Sequence, residues 1–426
     1  MTDKIVEILR ASDADAFEVT DTVTLAYEFY FIKHRLDQNR VRDVEHINVK
    51  VFKKLEDGKI IGSASGEIYP TLTEDEIKSE IDKLISRAEN VQNPFYVLNK
   101  PEEFEPSKNN DIDVSRIAED FVNTMKEIPE TDTEDLNSYE IFVKKNRCRF
   151  INSEGIDVSY EYPSSMVEVV VNARDEAHEI ELYRMYKGGT CDKEGLKKEI
   201  TEVLKYGKDK LIAGPTPQLG KAAVVFPTSD AVQLYHYFAG KIDAGFIYNH
   251  YSDWEIGKDI APKAKGDKVT LKLLKNLPNS SQNFDVDEEG AVIKDTVLLE
   301  NNIPKIFCGG RRYRYYLGIE GSSMAYNYEV CGGSKTIDEI RSGKYLEVVE
   351  FSSFEVDSIS GDIAGEIRLA YYHDGDKVTP VSGGSVSGSM FNFVNEMYMS
   401  KEQRQYDFCL IPALTRLENV TVTGIE

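Results

Sequence analysis

Apolar and polar residues alternate over residues 27–33, 46–52 and 59–64, the period of a strand with one buried face. Between the last two, Asp57-Gly58 supplies the positive-φ residue that a tight hairpin needs. At Thr73 the period lengthens. Ile77, Ile81, Leu84, Ile85 and Ala88 fall on one helical face, and Thr73 with Glu76 three residues on spells a capping box. A second amphipathic helix is predicted over 114–125, after a charged, proline-bearing loop at 100–111. Strand patterns return at 139–143, 148–152, 166–172 and 179–185, reading as antiparallel strands joined by short turns. A helix over 192–206, with Leu196, Ile200, Val203 and Leu204 turned inward, follows them.

The segment Ala213-Gly-Pro-Thr-Pro217 breaks every regular period, and the domain boundary is placed there. Beyond it, one helical stretch near 229–240 is followed by short strands among many Gly and Ser breaks, clearest at 268–272, 291–299, 345–356, 366–372 and 419–423. The expected fold is α+β with two domains: an α/β N-terminal domain over 1–212 and a β-dominated C-terminal domain over 213–426. No internal repeat is visible.

Composition narrows the function classes. Lys and Arg number 51 against 74 Asp and Glu, a net charge of −23, which argues against a general nucleic-acid role. The five cysteines are far apart with no CxxC pair, so neither a zinc knuckle nor a redox pair is indicated. No run of about 18 apolar residues offers a membrane span, and the acidic N-terminus lacks a signal-peptide core. A cytoplasmic protein with reduced thiols is expected.

Common catalytic signatures are missing. The six histidines include no HExxH pair, and GxSxG, GxGxxG and GxxxxGK[ST] do not occur. The informative stretch runs from Gly220 to Lys241, where the β-rich run 222–226 passes through Pro227 to a cap at Ser229 or Asp230 and a helix carrying His236. Here the chain resembles the TldD/PmbA family of metallopeptidases, historically labelled modulators of DNA gyrase. The resemblance extends to Asn152-Ser-Glu-Gly155, to the stretch Phe284–Gly290, to Ser360-Gly-Asp362 and to the Gly/Ser-rich residues 380–392. Zinc-bearing members carry HExxxH on the helix, and this chain has His236-Tyr237-Phe238-Ala239-Gly240-Lys241. His236 matches the first ligand, Tyr237 replaces the catalytic Glu, and Lys241 replaces the second His. Cys409 is the nearest counterpart of the family's third ligand, without the Gly that follows it there.

A catalytic zinc site needs about three protein ligands and an open water position, and Tyr, with a pKa of about 10, is no base near neutral pH. The resemblance therefore implies the PmbA/TldE-like branch. Such a chain is a catalytically silent subunit that holds no metal or other cofactor. It pairs with a TldD-like zinc subunit, or with itself as a homodimer, and helps enclose unfolded or small peptides for proteolysis. Strand addition at an exposed sheet edge is the expected mode of peptide contact. Two alternatives stand beside this reading. One is a self-sufficient metallopeptidase using His236 with Cys409 or with carboxylates from Asp285, Asp287, Glu288 and Glu289. The other is a non-enzymatic modulator that binds DNA gyrase. The acidic run is read first as a turn held by local hydrogen bonds. Arg311, Arg312, Tyr313 and Arg314 mix cations with aromatic rings and are read as a subunit contact or peptide-facing wall. The hydroxyls of Ser382–Ser389 are read as turn chemistry.

Overall fold

The computed structural model describes residues 1–109 and 112–425; the end of the loop expected at 100–111 lies outside the described residues. The first sheet has seven strands, all paired antiparallel. They are β1 (Ala16–Ile32), β2 (Arg35–Leu55), β3 (Ile60–Ile68), β4 (Asn93–Pro94), β5 (Glu134–Asn152), β6 (Asp157–Arg174) and β7 (Glu179–Gly188), in the spatial order β4-β3-β2-β1-β5-β6-β7. The strands outrun the expected ones. The patterns at 139–143 and 148–152 are one strand, and β1 and β2 run on into a ribbon that turns at Lys33-His34 and leaves residues 35–43 of β2 exposed. Hydrophobic alternation marks only the half-buried stretch of each strand, while backbone pairing continues where both faces meet water.

Four helices cover one face of this sheet: α1 (Thr2–Ala11), α2 (Glu74–Ala88), α3 (Val114–Lys126) and α4 (Lys193–Leu211). Helix α2 starts as its sequence demands, with Thr73 Oγ1 accepting from the Glu76 amide while Glu76 accepts from the Thr73 amide. Its buried residues are the five expected, and with Ile5 and Leu9 of α1 they pack on Val19, Ile47 and Val49. At the other end of the sheet, Phe121, Leu196, Ile200 and Val203 pack on Ile141, Val167 and Val169. The β2–β3 turn uses left-handed Asp57 (φ 55°) and Gly58 (φ 84°), as the hairpin dipeptide requires.

The remaining strands form two sheets. One has six strands in the order Ile303–Pro304, Thr296–Glu300, Leu271–Leu274, Asn327–Val330, Cys409–Pro412, Gln403–Tyr406. The other runs from Tyr345–Val356 through Gly220–Phe226, Thr415–Thr423 and Ser385–Ser389 to Asp362–Asp374. Because Tyr345–Val356 also pairs with Asp362–Asp374, this path returns on itself. The strand expected at 291–299 is confined to Thr296–Glu300, since Val292 spends its pairing on a bridge to Val286. The expected linker at 213–217 contributes a two-residue strand, Gly214–Pro215, paired with Val381 and Ser382. Helix α5 (Ala231–Lys241) lies in the largest core, with Leu234, Tyr235 and Phe238 among Val224, Leu271, Val330 and Leu417. The architecture is thus mixed α+β and rich in strands. No described helix is long and apolar enough to cross a membrane.

One close approach sets how tightly α2 can sit on the sheet. A Cβ on Gly62 of β3 would stand 1.8 Å from the Ala88 carbonyl oxygen, whereas one on Gly214 would meet nothing within 4 Å. Gly62→Ala is expected to cost about 1–3 kcal/mol by overpacking, seen as a lower urea midpoint, with Gly214→Ala within about 0.5 kcal/mol of the parent. Equal midpoints for the two variants would contradict this packing.

Candidate functional site: a degenerate motif helix and an acidic, aromatic-walled cavity

Helix α5 begins after Pro227, where the Ala231 amide donates to the Thr228 carbonyl at 3.1 Å. The expected cap from Ser229 or Asp230 is not made. The helix has no side-chain cap bond, and Asp230 instead accepts from the Thr228 hydroxyl at 3.2 Å. Five residues at about 100° each leave His236 and Lys241 roughly 140° apart around the axis, and the structure sends them to different neighbours.

His236 is half-buried, its ring 6.0 Å from that of Tyr328, and burial lowers its pKa. Tyr328 in turn is the parallel register partner of Cys409. Cys409 is 1% exposed, in a core strand as expected, and burial pushes its thiol up to about 12. His236 and Cys409 thus share one neighbour.

Tyr237 packs into the core against Trp254 and Phe391, with ring centroids at 6.3 and 6.0 Å, and burial raises its phenol well above the ordinary value. The Lys241 side chain is buried, the residue being 3% exposed. Its Nζ donates to the carbonyls of Tyr251 at 2.8 Å and Ile359 at 2.9 Å, and lies 5.2 Å from the Phe391 ring centre. Desolvation lowers its pKa, while Asp253 and Asp357 oppose that. At the position where a zinc helix needs its second imidazole there is an ammonium, and at the position of the base there is a core phenol. These side chains do not make a zinc ligand set, and no cluster of three or more His, Cys, Asp or Glu suited to a metal occurs among the described residues.

The other sequence candidates are engaged within the chain. Asp287 heads a turn: its Oδ1 accepts from the Glu289 and Ala291 amides at 2.9 Å, and its Oδ2 from the Met324 amide at 3.0 Å. Asp285 accepts from the Ser107 amide at 2.5 Å. The helix Arg311–Tyr316 carries the Arg/Tyr run, and two of its guanidiniums face inward. Arg311 Nε donates to the Val97 carbonyl at 2.8 Å and Arg314 Nε to the Gly309 carbonyl at 2.7 Å. Arg312 reaches Asn93 at 2.8 Å and stacks 4.4 Å over Tyr313. Ser382 and Ser385 flank a turn in which Gly383 and Gly384 take φ near 80°.

The sequence reading missed a cavity of about 470 Å³ between the helix-free face of the first sheet and the 284–290 turn. Residues alternating with the core positions of β1 and β2 point into it, Glu18, Thr20 and Lys50 among them. Tyr160, Tyr162, Phe284 and Tyr326 wall it, with Phe284 4.7 Å from Tyr162 and 4.9 Å from Tyr326. Gly290 (φ 80°) is required where the turn meets the sheet, because a Cβ there would stand 2.4 Å from the Phe150 ring. Glu18 is 6% exposed, and among the described residues its one ion-pair contact is Lys50 Nζ at 3.4 Å; the same Nζ lies 3.5 Å from Glu289. Desolvation raises the Glu18 pKa to about 7, helped by Glu289 and Asp287 and opposed by Lys50.

Residues 219–424 match the family model of the PmbA/TldA metallopeptidase C-terminal domain. The C-terminal part of the chain is thus a domain of the PmbA/TldD type. The uncharacterized protein MJ0231 of Methanocaldococcus jannaschii is 22% identical over 327 residues, 71% of this chain and 73% of that one. Among solved structures, TldE from Thermococcus kodakarensis is similar over the whole of both chains (TM-score 0.78, 16% identity). A protein described as a modulator of a DNA gyrase, from Thermotoga maritima, is similar over 99% of both (TM-score 0.78, 16% identity). At these identities the two structures establish the fold.

Glu18 gives a testable sign. Its native pKa of about 7 exceeds the ordinary 4.5, so the native chain keeps a proton that the unfolded chain releases within that window. Its contribution therefore falls as pH rises from 4.5 to 7. Glu18→Gln should gain stability relative to the parent between pH 5 and pH 8, by on the order of 1–3 kcal/mol. Urea midpoints at the two pH values measure it, and an unchanged difference would contradict the burial of this carboxylate.

Proposed function

We propose that this chain is a TldE/PmbA-like subunit of a two-component metallopeptidase acting on unfolded or small peptides, itself without zinc and catalytically silent. The observation that carries the reading is Lys241. A zinc helix needs a neutral imidazole there, and a cation held by two carbonyls opposes a second cation by direct repulsion. Tyr237 adds to this, since a core phenol with a raised pKa cannot take a proton from a metal-bound water near neutral pH. Likeness over the full chain to a protein named TldE agrees. In this reading the zinc and its water belong to a TldD-like partner, and this subunit supplies enclosure and binding surface in the cytoplasm. It forms a homodimer where no such partner is present.

The test is reconstitution. The purified chain alone should leave casein intact, and a mixture with a TldD-like zinc subunit should degrade it until a chelator is added. Chelator-sensitive hydrolysis by the isolated chain would overturn the proposal.

A further inference from the structure

The cavity over the first sheet is far in sequence from the motif helix, and its chemistry is of another kind. We propose that it is a binding site for a primary ammonium group on an apolar stem, with Glu18 and Glu289 receiving the cation and Tyr160, Tyr162, Phe284 and Tyr326 enclosing the stem.

Three observations lead there. The first is charge. Glu18, Glu288 and Glu289 line the cavity with Lys50 as the one lysine or arginine. The Lys50 contacts of 3.4 and 3.5 Å are longer than the about 2.7–2.9 Å of a well-made ammonium–carboxylate bond. Both carboxylates therefore keep capacity to accept. The second is burial with only a long contact to Lys50. Glu18 is 6% exposed on a strand face where Thr20 and Thr22 continue the wall, and an ionised carboxylate so placed is costly until a donor meets it. A primary ammonium brings three donors and no acceptor.

The third is the wall. Four aromatic rings, linked one to the next by centroid spacings of 6.0, 4.7 and 4.9 Å, offer aromatic surface, which attracts organic cations and excludes water from an alkyl or aryl stem. The carboxylates here form no metal-suited cluster among the described residues, and ring carbons are not metal ligands. The volume of about 470 Å³ falls within the about 300–1,000 Å³ usual for small-ligand sites. Lysine side chains and peptide amino termini both present this chemistry.

The test uses 4-phenylbutylamine as probe and 4-phenylbutan-1-ol as its uncharged counterpart, titrated calorimetrically into the full chain at pH 8. The amine should bind roughly tenfold or more tightly than the alcohol, as expected for a charge-assisted contact. Glu18→Gln should reduce that preference to about twofold, while Glu355→Gln, on an exposed strand position elsewhere, should leave it intact. If Glu18→Gln does not fold, Tyr162→Leu serves as the second variant, and it should weaken amine and alcohol together. Equal affinity for the two probes, no heat from either, or an unchanged preference in Glu18→Gln would each overturn the assignment. Neither a partner subunit nor a metal enters this measurement, so its failure is separate from failure of the subunit reading.

Discussion

An ammonium buried in a protein interior must be met by oxygens or lose its charge, and Lys241 is met by two backbone carbonyls. That requirement fixes more than one side chain. The carbonyls belong to Tyr251 and Ile359, so the end of α5 is tied both to the segment that follows it and to the turn before Asp362–Asp374. Tyr237, one helical turn earlier, lays its ring 5.7 Å from the same Nζ and against Trp254. Helix α5 is held here as a packing element, with a cation built into the chain.

The first sheet is joined to the rest by polar contacts that also shape the cavity. Asn99 donates to the Glu289 carbonyl at 2.8 Å and its own carbonyl accepts from Asn152 at 2.8 Å. Asn152 also caps its turn by accepting from the Glu154 and Ile156 amides at 3.0 Å. Glu289, on the cavity wall, accepts from the Arg311 amide at 2.5 Å. The residues that close the joint are thus those that place Glu289 beside Lys50 and Glu18. A joint built of so many directional bonds holds geometry more strictly than an apolar contact of equal area.

Features carried by local chemistry were legible in the sequence. The Thr73/Glu76 box, the five buried positions of α2, the Asp57-Gly58 turn and the Asn152–Gly155 turn all follow from neighbours within a few residues. The motif helix was legible for the same reason. What was not legible depended on partners distant in the chain. Arg311 reads as part of a surface patch because its acceptor, the Val97 carbonyl, lies far upstream. Glu18 lies outside the strand patterns read from the sequence, and the 284–290 turn folds over it in the structure. Strand lengths were underread because polar ribbons pair through backbone alone.

The proposed subunit role requires that α5 hold no zinc. Calorimetric titration of zinc into the metal-free parent chain, repeated on His236→Ala, tests that directly. The expected result is no saturable one-to-one binding in the parent and no difference between the two proteins. Stoichiometric binding in the parent that disappears in His236→Ala would contradict it.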